Sequence, residues 1–206
     1  MRTLAPRLVV VLSIVLPLTL AGCTSVGLSP ATPTGALANA TFDQQFIDMM
    51  VPHHEGAIAM AQVALQRAER PEVKALAEGI VRSQGAEIQQ LKSWRKAWFG
   101  SDQTPPLSQV PTLPGLAGHG GHGATMDLAA DVAALRAAPE PFDRACIDAM
   151  VAHHESAIAA AQAAETRAER PEINELARRI AADQQREVEQ LKRWRQVWYG
   201  SAESQS

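Results

Sequence analysis

Apolar residues at Phe46, Ile47, Met50, Ala57, Ile58, Ala61, Ala64 and Leu65 fall on one side of a 3.6-residue wheel. Asp48, Glu55, Gln62 and Glu69 recur every seven residues on the other side. This pattern predicts an amphipathic helix with a solvated acidic stripe. Thr41 is placed to cap its start, with Gln44 answering three residues on. The stretch "RAERPE" ends the helix near Arg70, because Pro71 suits the first turn of a following helix, where its missing N–H has no partner to lose. That second helix shows Val73, Leu76, Ala77, Ile80, Ile88, Leu91, Trp94 and Trp98 on one face and stops at Gly100.

The same pattern returns one hundred residues later. Residues 42–100 align with 142–200 without a gap, and roughly half the positions are identical, which marks a duplicated unit. Four helices of about 28 residues, each about 40 Å long, joined as two tight hairpins, describe an all-α four-helix bundle. The first hairpin is expected over 41–100, a crossover over 101–140, the second hairpin over 141–200 and a short tail over 201–206. The crossover opens Pro-rich, carries "HGGHG" at 119–123 and contains a short helical pattern at 127–138.

The N-terminus is of a different kind. Arg2 and Arg7 precede a 13-residue apolar run over 8–20, too short to span a membrane, and then comes "LAGC". This reads as a secretory leader over 1–22. Leu-Ala-Gly before Cys23 resembles the lipobox of bacterial lipoproteins, which implies cleavage before Cys23 and lipidation of its sulfur; a plain leader with a chance cysteine is the other reading. Residues 23–40 are small, polar and uncharged, suited to a flexible tether. The expectation is an exported protein, lipid-anchored to the bacterial membrane and facing the periplasm or the cell exterior. Loss of the leader moves the net charge from −3 to −5, with 17 basic against 22 acidic residues, so nothing attracts nucleic acid. Cys146, at the repeat position of Phe46, reads as a small buried side chain rather than a ligand.

Candidate chemistry gathers on the first helix of each unit, in "MMVPHHEGAIAMAQ" and "AMVAHHESAIAAAQ". At 100° per residue, Met50 centres the apolar face, with His53 and His54 on either side of it, so both rings reach the interior. Counting back from the turn at 70–71 puts His54 opposite Glu87, His53 opposite Ile88 and Ala57 opposite Gln84. Met150, His153, His154, Gln184 and Glu187 repeat the set. Burying this much polarity without partners costs several kcal/mol. Two readings follow. In one, the histidines satisfy each other and their Glu and Gln neighbours as a polar network in a structural or protein-binding module. In the other, which the pairing, the adjacent thioethers and the duplication favour, Met50, His53, His54, Met150, His153 and His154 bind a metal.

Iron-binding bundles place Glu three residues before His; here Met50 and Met150 stand there. A thioether makes the site softer and neutral, favouring copper as Cu(I), or silver, with imidazole also accepting Cu(II) or zinc. Glu87, Glu187, Gln84 and Gln184 then serve to orient the histidine rings, direct ligation by the two glutamates being the other reading. Met60 lies two turns beyond His53 and its counterpart is Ala160, so the halves differ. His119, His122 and Met126 in the crossover form a candidate labile secondary site, or a plain hydrophilic linker. Asp43 and Asp143 read as first-turn carboxylates favoured by the helix dipole, and the four tryptophans as core packing. No Ser or Cys is paired with an acid–base partner and no glycine loop cradles phosphate, so an enzyme is not expected.

"FIDMMVPHHEGAIAMA", the later "QGAEIQQLKSW", and "LRAAPEPFDRACIDAMVAHHESAIAAA" resemble the bacterial domain-of-unknown-function family numbered 305, over residues 41–200. The resemblance implies a ferritin-like four-helix bundle, usually exported and implicated in copper or silver binding and tolerance, with the ligands at Met50, His53, His54, Met150, His153 and His154. The chain departs from the family pattern at Leu91 and Leu191, where members often carry methionine. A protein partner is not indicated.

Overall fold

The computed structural model describes residues 40–111, 113 and 127–200. Four long helices carry the fold: α1 (Phe42–Arg67) and α2 (Pro71–Phe99) form one hairpin, and α4 (Phe142–Arg167) and α5 (Pro171–Tyr199) the other. A 3-10 turn (Leu107–Gln109) and the short helix α3 (Leu128–Arg136) lie on the crossover. Among the described residues there is no strand, and no helix is long and apolar enough to cross a membrane. The leader, Cys23, the tether, His119, His122 and Met126 lie outside the described residues.

The helix ends follow local chemistry. Thr41 accepts the Gln44 amide N–H at 3.3 Å, and the side chain reaching back is that of Gln45, to the Ala40 carbonyl, rather than that of Gln44. α1 stops at Arg67, three residues earlier than the proline alone suggests, and 68–70 forms the link. Gly100 takes the left-handed conformation, φ 84°, that closes α2 without a Cβ penalty. Asp127 caps α3 by accepting the Ala130 N–H.

Helices pack mainly within each hairpin, and the hairpins meet along α1 and α4. The pair is antiparallel, because the start of each helix touches the end of the other. Asp43 accepts the backbone N–H groups of Glu169 and Arg170, both at 3.0 Å, and Asp143 those of Glu69 and Arg70 at 3.2 and 3.0 Å. These buried carboxylates were expected to serve their own helices through the dipole. They instead also satisfy the orphan N–H groups where the opposite hairpin turns, tying the two halves together.

Two apolar clusters result, exchanged by the repeat. One joins Phe46, Ile47 and Met50 to Ala157, Ala161 and Ile173; the other joins Ala57, Met60, Ala61 and Val73 to Cys146, Ile147 and Met150. The histidines stand between them.

Two expectations need correction. Asp48 is not on a solvated stripe: it is buried and holds Arg95, with Nε at 2.5 Å and Nη2 at 3.2 Å. Its repeat partner Asp148 stays exposed beside Arg195. The tryptophans are half-buried rather than core. Trp94 stacks on Trp98 and Trp194 on Trp198, and Arg170 and Arg70 from the opposite hairpins cover Trp98 and Trp198 at 4.2 and 4.0 Å.

Candidate metal centre

All four motif histidines are buried: His53 is 1% exposed, His54 and His154 0%, and His153 8%. His53 from α1 and His153 from α4 meet where the antiparallel helices cross, with ring centroids 3.9 Å apart and tilted by 45°. His54 and His154 turn away, each 6.3 Å from its neighbour in sequence. Met50 and Met150, buried one turn before His53 and His153, lie in opposite apolar clusters and so flank the pair from its two ends.

The hairpin count holds. His54 Nε2 lies 2.7 Å from Glu87 Oε2, and His154 Nε2 lies 2.8 Å from Glu187 Oε2. A carboxylate only accepts, so each ring places its Nε2–H there and leaves Nδ1 as its other ring nitrogen. His53 reaches the same tautomer by another route. Ser156 gives its hydroxyl proton to the His153 carbonyl at 2.7 Å, so its oxygen can only accept from His53 Nε2–H, at 2.8 Å. Nδ1 of His53, His54 and His154 is buried, and none of the three has a hydrogen-bond partner among the described residues.

Gln84 and Gln184, 2% and 3% exposed, also bury carbonyl oxygens that no donor meets. Buried polar atoms without partners are few in native proteins, and a cluster of them calls for an occupant. Burial first, then repulsion from His153, His54 and His154, holds the His53 imidazole well below its usual pKa of 6.5. It is thus neutral, the form in which imidazole binds a metal.

The donor set fits a soft cation. Imidazole and thioether are the ligands that favour Cu(I) or Ag(I), and here the buried rings of His53 and His153 meet with a buried methionine one turn before each. Among the described residues no three His, Cys, Asp or Glu side chains already surround one point. Cys146 takes no part: it is buried, and its thiol is pushed up to about 12, chiefly by burial. Met60 is buried in the second cluster with Met150, and its counterpart Ala160 lies in the first.

Ser156 was missed by sequence reasoning. The signal was present in the repeat, since its counterpart is Gly56 and a polar residue that departs from the duplication invites a reason.

A helical bundle with histidines and thioethers buried where two duplicated hairpins cross is a scaffold suited to holding a soft metal ion. The chain belongs to the family described as a domain of unknown function, DUF305, whose model matches residues 43–195. Among solved structures it is similar to CopM. The Cu(I)-bound form is 42% identical, covering 77% of this chain and 98% of that one with a TM-score of 0.60, and the Ag-bound form obtained by soaking is 39% identical over the same shares. A DUF305 fragment from Deinococcus radiodurans is 29% identical, covering 74% of this chain and 94% of that one, with a TM-score of 0.58. An uncharacterized protein, L153, from Acanthamoeba polyphaga mimivirus is 39% identical over 51 residues, 25% of this chain and 34% of that relative's length.

Proposed function

We propose that this protein is an extracytoplasmic, lipid-anchored metal-binding protein that captures or buffers copper or silver and performs no catalysis of its own. The observation that carries the metal reading is the set of buried Nδ1 atoms of His53, His54 and His154, oriented by Glu87, Glu187 and Ser156 and left without hydrogen-bond partners. The likeness to a protein solved with Cu(I), Cu(II) and Ag supports copper or silver over zinc. The leader and "LAGC" support export and an anchor at Cys23.

The test is titration of the apoprotein with Cu(I) and Cu(II), wild type against a variant with His53, His54, His153 and His154 all changed to alanine. Wild type should take up metal and the variant should not; equal uptake refutes the proposal. Anchoring is checked by Cys23→Ser, which should move the protein from the membrane fraction to the soluble fraction.

The hydrogen bonds from His54 to Glu87 and from His154 to Glu187 favour a second reading, a purely structural polar network in a surface module. The two readings separate on heating. A ligand that binds only the native state raises the melting temperature, by about 2.7 kcal/mol of stabilisation at one hundred times its Kd. A structural network predicts no rise with Cu(I), Ag(I) or Cu(II).

A further inference from the structure

The two halves are unequal beside the histidines, and one side is hollow. A cavity of about 330 Å³ is bounded by α1, α3 and α4, and its lining includes Met60, Leu135, Ala149, Ala152 and His153. The repeat explains it. α4 carries Ala145, Ala149 and Ala152 where α1 carries Gln45, Met49 and Pro52. On the His53 side the equivalent positions carry larger side chains, with Met49 buried in the first apolar cluster. Ser156 closes on His53 there, whereas its counterpart Gly56 has no side chain to offer His153.

Helix α3 roofs the hollow. A Cβ at position 56 would stand 3.1 Å from the Leu128 side chain, so the start of α3 seats on Gly56 because that residue is glycine. Its far end is fastened by Arg67, which donates to the carbonyls of Arg136 and Ala138 at 2.6 and 2.9 Å. The lining also includes the carboxylates Asp131, from α3, and Asp148, from α4.

We propose that this cavity is the route by which Cu(I) or Ag(I) reaches the buried histidine pair, with the Met60 thioether as its first soft ligand and α3 as its roof. The Asp131 carboxylate draws a cation toward the hollow, a thioether selects the soft ion, and His153 borders the same space. Loading is one-sided because Ala160 supplies no thioether on the other half. The proposal rests on the metal-binding reading above.

A route differs from a ligand in how its loss is felt. Blocking it slows entry and exit equally and leaves the equilibrium affinity alone. The experiment mixes full-chain apoprotein with Cu(I) held by a coloured chelator and follows the colour by stopped flow, with the end point giving affinity. Ala152→Phe, which fills the hollow, should slow transfer about tenfold or more while the end point stays that of wild type. Ala145→Leu should act in the same direction, and serves alone if the larger substitution does not fold. Met60→Leu keeps the volume, removes the sulfur and should also slow transfer. Wild-type rates in the filled variants overturn the route, as does an affinity that falls in step with the rate. Failure of wild type to take Cu(I) at all overturns instead the metal-binding reading, and the route with it.

Discussion

His53 and His153 sit in the same positions of two repeats, yet their rings lie 3.9 Å apart at the centre of one bundle. In the metal-binding reading, that contact makes one shared centre rather than two remote half-sites. If each hairpin bound metal independently, His53→Ala and His153→Ala would each remove half the uptake and their effects would add. A shared centre predicts that either change alone removes most of the high-affinity uptake, and that the double variant is little worse than either single one. Titration of the four proteins with Cu(I) reads this directly, and additive halves would show that the centre is not shared.

Ser156 bridges the halves by hydrogen bonds, accepting from His53 Nε2–H and donating to the His153 carbonyl. Ser156→Ala leaves that buried N–H unpaired, at a cost of about 1–3 kcal/mol. Alanine is the better helix former, which offsets about half a kcal/mol. Urea melts should therefore place the variant about 1–2 kcal/mol below wild type. In the metal-binding reading the variant also loses the restraint that fixes the His53 tautomer, so its affinity for Cu(I) should fall as well. Unchanged stability would mean that the bridge carries no net weight.

The register of the site was legible because an antiparallel hairpin converts sequence distance into height. With the turn at Pro71, His54 had to face Glu87, and it does. The facing of α1 and α4 was not legible. Nothing within either repeat says that Asp43 caps the opposite hairpin or that His53 meets His153, since these contacts follow from how two units dock. Asp48 shows why a wheel misleads: its position is polar by period, yet it is buried against Arg95. Arg95 in turn reaches the Ser101 carbonyl at 2.8 Å, and the 3-10 turn packs on α1. Asp148, at the same wheel position, keeps its exposure. The alanines that open the cavity were visible as departures from the repeat, but their meaning needed the roof that α3 supplies.

That inequality gives a direct comparison of one ion pair in two settings. Asp48, 1% exposed, and Arg95 are both buried, so Asp48→Ala strands a guanidinium out of water and should destabilise by about 3–5 kcal/mol. Asp148 is 51% exposed, and Asp148→Ala should cost about 0–1 kcal/mol. Chemical denaturation of the two variants decides it. Equal losses would show that the covering of Asp48 by the crossover does not persist in solution.

Acid should weaken the apoprotein through the histidine layer. His53 faces His153 and His154 from α4 and His54 on its own helix, while Glu87 of α2 and Glu187 of α5 are engaged with His54 and His154. Burial and the neighbouring rings hold its folded pKa well below 6.5, so between the two values the unfolded chain binds the extra proton and the folded chain does not. Stability therefore rises with pH across that window: the contribution is complete above about 6.5 and is lost as pH falls toward the folded value, at up to about 1.4 kcal/mol per pH unit. Urea melts at pH 7.5 and 5.5 should differ by about 1 kcal/mol on this account. In His53→Gln, which does not titrate, the difference should shrink. If it stays as large as in wild type, the acid sensitivity lies elsewhere, and the burial of a neutral His53 is not what sets it.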